Sequence, residues 1–546
     1  MPPQGGQSVF LGDQADAVTE AIARLERENI VNRIWARDQT VWPVDHAGVF
    51  DRLGWLTVAT EMRNQVPDLK RFASEIKDSF FTDIVSLGMG GSCIGSEVIR
   101  QVCGPQNGYP HLTVLDSTVP SAVRAVGRAT DPGRTLYIVS SKSGQTLETK
   151  SLYQYFRSLV EGCVGKHEAG SHFVAITDQG SSLVDLSTDE GFRRTFENSP
   201  TIGGRYSVLS YFGLVPAVLT GVDIEKLLER AASMAIRCAG SNPLVDNPGA
   251  WLGAYLSAMA VAGRDKLTLV TSPSVAGFGL WVEQMLAEST GKEGKGVIPV
   301  VGEPLLDAMH YENDRAFVYL RLENDDNAQA DVATERLASS GCPIVRLEFS
   351  DAYDLGSEFF RWEFATAIAG SLLGIQPFDQ PNVQQTKNAT TEIITAFEQT
   401  GTLPADPVVA PLRSLLAQAA PGDYLAIMAY VEPSTGVESA IFAVRRQVMQ
   451  ESKVATTFGY GPRYLHSTGQ IHKGGPNSGL FVQMTADEEN LEIPGESYGF
   501  GTLASAQAIG DFQTLLNSGR RVIRINLGGD AEAGLLHLLS ELWTAK

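Results

Sequence analysis

The order of apolar and polar positions changes sharply near residue 80. Residues 14–80 are rich in helix formers, and "ADAVTEAIARLERENIVNRIWARD" repeats its apolar residues with a period near 3.6, typical of an amphipathic helix. After that, an apolar run, a small polar loop and a helical pattern form a repeating unit. Its four copies begin at "TDIVSLGMGGS", "HLTVLDST", "TLYIVSSKSGQT" and "HFVAITDQGSS". Such a series predicts a parallel sheet with helices on both faces.

A second α/β series begins near residue 250. Its strands are predicted at "KLTLVTSP", "AFVYLRLE" and "PIVRLEF", followed by "DYLAIMAYV", "KVATTFGYG", "GLFVQMT" and "RRVIRINLG". The fold class is therefore α/β, with two doubly wound parallel sheets in three αβα layers, the second expanded. The predicted divisions are a helical N-terminal segment (1–78), a first domain (79–245) and a second domain with a C-terminal α/β extension (246–546).

The composition of the chain excludes some classes of binding partner and indicates a cellular compartment. A net charge of −20 over 546 residues argues against nucleic acid and against anionic membrane surfaces. The five cysteines form no CxxC pair, which suits a reducing cytoplasm. We find no signal peptide at the N-terminus and no run of about 18 apolar residues, so we expect a cytoplasmic protein without a membrane span.

The loop in "YIVSSKSGQTLET" (137–149) is the first candidate for chemistry. A strand, a loop of hydroxyls with one lysine, and a helix start together make a cradle for an anion. The alternative is an ordinary capped helix, because Ser and Thr are common N-caps.

Two further glycine-rich turns have structural alternatives of the same kind. "LGMGGSCIG" lacks the spacing of a dinucleotide fingerprint, so a tight packing turn is as good an interpretation as a binding turn with Ser92 as a polar contact. "GGRYS" places Arg205 after two glycines, where it is either a surface charge or a group for a planar oxyanion.

Three more segments carry acid, base or amide groups. Gln284 and Glu288 are four residues apart, and Glu288 is either a general base at a helix end or an exposed partner of Lys292 or Lys295. Gln380 and Lys387 are seven apart, hence on one helix face.

"YLHSTGQIHKGG" contributes His466 and His472, six residues apart. This spacing does not put them on one helix face, and no Cys or carboxylate cluster joins them, so we reject a zinc site. No G-x-S-x-G signature of a serine nucleophile is present.

Together these segments resemble the phosphoglucose isomerase family, which is built from two sugar-isomerase (SIS) domains. "GMGGS", "SSKSGQT", "GGRYS", "ESTGKEGKG", "PFDQPNVQQTK" and "LHSTGQ" are similar to its motifs across residues 75–480. The resemblance implies two SIS domains and an isomerase acting on glucose 6-phosphate and fructose 6-phosphate without metal or organic cofactor. It implies that the substrate is bound by Gly91, Ser92, Ser141, Lys142, Ser143, Thr146, Gln284 and Gln380.

The same resemblance implies the catalytic roles. Glu288 would be the base, Arg205 would stabilise the enediolate, and His466 with Lys387 would open the sugar ring. The family's usual order is glutamate, histidine, lysine, whereas here His466 follows Lys387, as in the isomerase half of fused transaldolase–phosphoglucose isomerases. His310 is a rival histidine by spacing, ranked below His466.

Several alternatives stay open at this stage. One is a dual phosphoglucose/phosphomannose isomerase, because the two substrates differ only at C2. Others are a non-catalytic sugar-phosphate sensor built on SIS domains and a scaffold without a ligand. Family members are commonly homodimers with sites completed across the interface, so we expect a homodimer.

Overall fold

The strands predicted from the apolar runs form three sheets in the structure, a computed structural model that describes residues 7–44, 51–405 and 410–543. Mixed α/β layers with parallel sheets confirm the predicted fold class. The N-terminal region contributes one strand and four helices: β1 (Gln7–Phe10), α1 (Ala15–Arg27), α2 (Ile30–Trp35), α3 (Trp55–Arg63) and α4 (Val66–Lys77).

The first sheet is wholly parallel, in the order β3-β2-β4-β5-β6. Its strands are β2 (Asp83–Gly88), β3 (His111–Leu115), β4 (Thr135–Ser140), β5 (Phe173–Asp178) and β6 (Arg194–Asn198). The helices between them are α5 (Ile94–Cys103), α6 (Pro120–Ala129), α7 (Leu147–Val164), α8 (Lys166–Ala169) and α9 (Ser182–Asp189).

A helical layer joins this sheet to the next. It comprises α10 (Tyr211–Leu219), α11 (Ile224–Arg237) and α12 (Pro248–Val261), of which α11 and α12 pack on the later helix α15 (Asp354–Leu373). The carboxylate of Asp223 accepts the first amides of α11, which fixes the start of that helix. These helices belong to the largest apolar cluster of the protein, which connects the first and second sheets.

The second sheet has the order β1-β10-β9-β7-β8, parallel except for β1. Its other strands are β7 (Lys266–Thr271), β8 (Ile298–Val300), β9 (Arg315–Leu322) and β10 (Ile344–Phe349). The accompanying helices are α13 (Phe278–Thr290), α14 (Ala328–Ser339), α15 (Asp354–Leu373) and α16 (Pro381–Thr400).

The third sheet is parallel, in the order β12-β11-β13-β14. Its elements are α17 (Leu412–Leu416), β11 (Tyr424–Tyr430), α18 (Thr435–Ser452), β12 (Ala455–Tyr460), α19 (Gly469–Gly474), β13 (Gly479–Thr485), α20 (Phe500–Asn517), β14 (Arg521–Asn526) and α21 (Ala531–Trp543). Side chains of α16 and α20 join the apolar cluster on one face of the first sheet, which brings the third sheet against the first.

The structure differs from the prediction in its edge strands and in the number of sheets. The N-terminal segment, expected to be helical, also supplies β1, which runs antiparallel to β10. The expansion expected of the second domain is a separate sheet. The predicted domain boundaries at 78/79 and 245/246 stay predictions. None of the helices described is both long and apolar enough to cross a membrane.

Candidate active site

A cleft at the carboxyl edge of the first sheet collects the residues singled out in the sequence. From β2 the chain continues to β3 on one side of the sheet, whereas from β4 it continues to β5 on the other side. Doubly wound sheets bind ligands in the crevice that forms at such a switch point. The cleft has a volume of about 490 Å³. Every predicted site residue except Ser141 lines it, namely Gly91, Ser92, Lys142, Ser143, Thr146, Arg205, Gln284, Glu288, Gln380, Lys387 and His466.

The glycine turn after β2 is in close contact with two other motifs. A Cβ at Gly91 would lie 2.1 Å from the carbonyl oxygen of Gly204. Gly90 has a φ of +56°, and a Cβ there would lie 2.9 Å from the carbonyl oxygen of His466. The structure therefore supports the packing interpretation of this turn, with Ser92 facing the cleft beside it.

The loop between β4 and α7 presents hydroxyls and an ammonium group to the cleft. Ser143, Thr146 and Lys142 line the cleft, whereas Ser141 is buried with its hydroxyl 2.9 Å from that of Thr146. Within the described residues no side chain caps α7. The positive end of this helix is therefore available to an anion, as the cradle interpretation predicts.

Lys142 forms an ion pair with Asp178, which ends β5 and also lines the cleft. Burial lowers the pKa of Lys142 and raises the pKa of Asp178. Arg52 lines the same part of the cleft and lies close enough to favour ionised Asp178 and neutral Lys142. A phosphate arriving here would meet two cations and one carboxylate.

Arg205 is fixed by acceptors from two segments. Its Nε donates to the hydroxyl of Ser289 at 2.7 Å, and its Nη1 donates to the side-chain oxygen of Gln380 at 2.8 Å. Its Nη2 donates to the carbonyl oxygens of Pro377 and Asp379 at 2.6 and 2.9 Å. Arg205 is thus a buried, oriented positive charge and not the surface charge that was its alternative.

Glu288 faces this guanidinium. Its Oε2 lies 3.5 Å from Nη1 of Arg205 and 3.2 Å from Nε2 of Gln284. The same amide nitrogen of Gln284 donates to the carbonyl oxygen of His466 at 2.8 Å. One turn of α13 therefore supplies the carboxylate and also holds the backbone of the histidine motif.

Lys292 is buried behind the base. Its Nζ lies 2.9 Å from the carboxylate of Asp379, and burial, reinforced by nearby Arg205, lowers the pKa of Lys292 to about 7. The alternative of an exposed Glu288 paired with Lys292 or Lys295 does not hold, because Glu288 is buried and Lys292 is paired elsewhere.

His466 ends the short 3-10 turn Arg463–His466, which follows β12 of the third sheet. Its Nε2 lies 2.8 Å from Oε1 of Glu148 in the first turn of α7, and the amide of Gln507 donates to the same oxygen at 2.7 Å. Burial alone would raise the pKa of Glu148, but His466 beside it holds that pKa below its ordinary value. The carboxylate therefore orients the imidazole.

Lys387 reaches the cleft from α16, seven residues after Gln380, which precedes the helix. The two residues do not share a helix face as predicted, because Gln380 is not helical, but both line the same cleft.

Comparison with known proteins agrees with this geometry. The family model described as phosphoglucose isomerase matches residues 42–297. The glucose-6-phosphate isomerase of Enterococcus faecalis is 25% identical and covers 67% of this chain and 92% of its own length. That of Bacillus cereus is 29% identical and covers 62% of this chain and 85% of its own length. These matches confirm the resemblance to the phosphoglucose isomerase family.

Solved structures place the family's fold on this chain. A hypothetical protein from Thermus thermophilus has a TM-score of 0.61 at 22% identity, covering 72% of this chain and all of its own. A glucose-6-phosphate isomerase from Chlamydia trachomatis has a TM-score of 0.54 at 20% identity, covering 68% of this chain and 78% of its own. At these identities the likeness shows the fold.

The segments that resemble phosphoglucose isomerase motifs meet in one cleft, although the histidine segment follows the lysine segment in the chain. His466 enters the cleft from the same chain that supplies Glu288 and Lys387. The rival His310 lies in the turn Ala308–His310 after β8, and among the described residues it is not part of the cleft lining.

Three polar residues were missed from the sequence, two that line the cleft and one that bonds His466. Glu148 follows the hydroxyl loop directly, and an acid in that position was a usable signal. Asp178 ends β5 in the fourth repeating unit, to which the sequence pattern gave no chemical role. Arg52 belongs to no motif, and only the folded structure brings it beside Lys142.

Proposed function

We propose that this protein belongs to the phosphoglucose isomerase family and interconverts glucose 6-phosphate and fructose 6-phosphate. The observation that carries the proposal is one cleft in which a hydroxyl-rich anion loop lies together with a carboxylate 3.5 Å from a buried guanidinium. A phosphate anchor, a base and a fixed cation are what an enediol mechanism requires.

The phosphate group binds at the start of α7. Ser143 and Thr146 offer hydroxyls, Lys142 offers its ammonium group, and Ser141 fixes the hydroxyl of Thr146 from behind. The free end of α7 adds its partial positive charge. Binding at this distance from the reacting carbons orients the sugar for the steps that follow.

Ring opening uses the imidazole of His466 and the ammonium group of Lys387, which line the same cleft. His466 and Lys387 move a proton between the ring oxygen and the adjacent hydroxyl. Glu148 holds Nε2 of His466, so the other ring nitrogen carries out the exchange with substrate. Gln507 helps to keep the Glu148 carboxylate in place by donating to the same oxygen.

Glu288 carries out the isomerisation. It removes the proton from one of the two carbons C1 and C2 and returns it to the other through a cis-enediol. A positioned base contributes roughly 10²- to 10⁴-fold, so the developing negative charge needs its own stabilisation. Arg205 supplies that charge without exchanging a proton. Gln284 and Gln380, which bond the base and the guanidinium, also contact the sugar hydroxyls, beside Gly91 and Ser92.

A coupled assay of fructose 6-phosphate conversion, with EDTA and no added metal, tests the proposal. We expect turnover by the wild type and a loss of roughly 10³-fold or more in Glu288→Gln, because the amide cannot accept the proton. The matched control is Glu293→Gln in the same motif, an exposed residue, which should leave turnover unchanged. Equal activity of wild type and Glu288→Gln would refute the role of the base.

We also propose a cytoplasmic location and a homodimer. The first is supported by the five cysteines, all of which are unpaired thiols in the described chain. The second rests on the family resemblance.

A further inference from the structure

The LDST loop (residues 115–118), which follows β3, lies at the functional edge of the first sheet but holds none of the catalytic groups. Its Asp116 is buried, with a bidentate bond from Arg463. Nε of Arg463 donates to Oδ2 of Asp116 at 2.6 Å, and Nη2 donates to Oδ1 at 2.8 Å. A planar, two-bond ion pair fixes both distance and orientation.

Arg463 begins the turn that His466 ends. The pair with Asp116 therefore ties the start of this turn to the first sheet, while the carbonyl of His466 is held by Gln284. The intervening Tyr464 donates its hydroxyl to Asp511 of α20 at 2.7 Å. The turn is anchored at each of these points by a different element.

The same loop reaches the imidazole by a second route. The hydroxyl of Thr118 donates to the side-chain oxygen of Gln507 at 2.6 Å, and Gln507 in turn donates to Glu148. Glu148 holds the ring of His466. Two residues of one loop thus act on the backbone turn and on the ring partner of the same histidine.

We propose that Asp116 is a positioning residue for ring opening, which it serves by fixing, through Arg463, the turn that carries His466. The inference rests on the proposed function, since it assumes that His466 opens the ring. His466 follows a strand of the third sheet, whereas the proposed phosphate site belongs to the first sheet. A small shift of one sheet relative to the other would therefore misplace the imidazole relative to the substrate. Glu288 and Arg205 lie on other segments, and Glu288 is connected to this turn through Gln284, whose amide bonds both the base and the carbonyl oxygen of His466.

The test separates ring opening from isomerisation. Fructose 6-phosphate is largely cyclic, whereas 5-deoxyfructose 6-phosphate lacks the hydroxyl that closes the ring and is always open. For Asp116→Asn we expect kcat on fructose 6-phosphate to fall roughly 10- to 100-fold with little change in KM, and kcat on the 5-deoxy substrate to fall by less than about 3-fold. Product formation is followed by NMR.

The matched control is Asp423→Asn. Asp423 is also buried and accepts two bonds from one arginine, Arg521, at 2.7 and 2.8 Å. It directly precedes β11, so it lies at the amino ends of the strands of the third sheet, whereas His466 lies beyond the carboxyl end of β12. This variant should affect neither substrate. Arg463→Lys is the second test variant, in case Asp116→Asn does not fold, and should show the same split because lysine cannot make the two-bond contact.

Every outcome of this experiment either supports or overturns the proposal. Loss on fructose 6-phosphate alone supports the proposal. Equal loss on both substrates, or no loss on either, overturns it, because the pair would then be merely structural or dispensable. A wild type that converts neither substrate would refute the proposed function and with it this inference.

Discussion

At the scale of single residues, α13 carries two buried carboxylates in different surroundings. Glu288 faces Arg205 in the active-site cleft. Glu283 lines a separate cavity of about 350 Å³ between α13 and α18, beside Arg445 and Arg463. Both arginines are bonded to other groups, and burial raises the pKa of Glu283 to about 7. Glu283 therefore binds its proton near neutral pH in the folded protein.

This assignment predicts a pH-dependent effect of Glu283→Gln on stability. The folded-state pKa of Glu283 is raised from 4.5 to about 7, so its proton stabilises the fold below pH 4.5 and that contribution is lost as pH rises through 7. Glutamine resembles the protonated form at every pH. We expect similar stability of variant and wild type at pH 4.5, and a more stable variant at pH 8, by up to about 3 kcal/mol. Urea unfolding at both pH values measures the difference.

The control is Glu438→Gln, which changes an exposed carboxylate lining the same cavity. It should not alter the pH dependence. A Glu283→Gln protein whose stability follows the wild type at both pH values would contradict the buried, protonated carboxyl.

At the scale of elements, the two glycine-rich turns of the active site are packed backbone to backbone. The turn Gly90–Ser92 lies against the turn Gly204–Tyr206, which carries Arg205. Gly91 thus permits the close approach that sets Arg205 at the carboxyl edge of the first sheet.

Gly91→Ala is the corresponding prediction. The new Cβ would lie 2.1 Å from a backbone oxygen, so the two turns must separate. We expect a loss of about 1–3 kcal/mol in the free energy of unfolding, as is usual for overpacking. Turnover should also fall, because Arg205 moves with its turn. Chemical unfolding and steady-state kinetics measure both effects.

A glycine in open surroundings provides the comparison. Gly162 lies in α7 with nothing within 4 Å of a Cβ. Gly162→Ala should stabilise the protein by roughly 0.5–1 kcal/mol, because alanine is the better helix former. If both alanine variants were equally stable, the close packing at Gly91 would be disproved.

The elements also show which parts of the fold the sequence predicts. β2, β4 and β5 are buried apolar runs followed by turn residues, and periodicity found them. β6, "RTFEN", has one apolar residue, and β8 has only three residues, so neither gives a periodic signal. Which sheet a strand joins depends on pairing between distant segments, and the third sheet was therefore predicted as an extension of the second.

The candidate active site likewise contains residues that local motifs predict and residues that only the folded structure reveals. Residues in local motifs were predicted and meet in one cleft. Glu148 and Asp116 act on segments more than 300 residues away, and their partners become visible only in the folded chain.

At the scale of the whole molecule, the third sheet brings the histidine to the first. His466 bonds Glu148 of its own chain, and the cleft contains the base, arginine, lysine and histidine of that chain. The expectation of a homodimer stays a prediction, but the described residues of one chain already bring all four proposed catalytic groups together. We therefore propose an active site that does not require a histidine from a partner subunit.

Co-expression of two inactive variants tests this arrangement. Glu288→Gln and His466→Ala each remove one group, and in a site built from one chain every chain of the mixture lacks one of them. We expect no recovery of fructose 6-phosphate turnover, whatever the oligomeric state found by sedimentation. If the histidine came from the partner subunit, half of the sites in each mixed dimer would hold both intact groups, and random assembly would restore roughly a quarter of wild-type turnover. The control is co-expression of each inactive variant with wild type, which must retain activity in proportion to the wild-type chain.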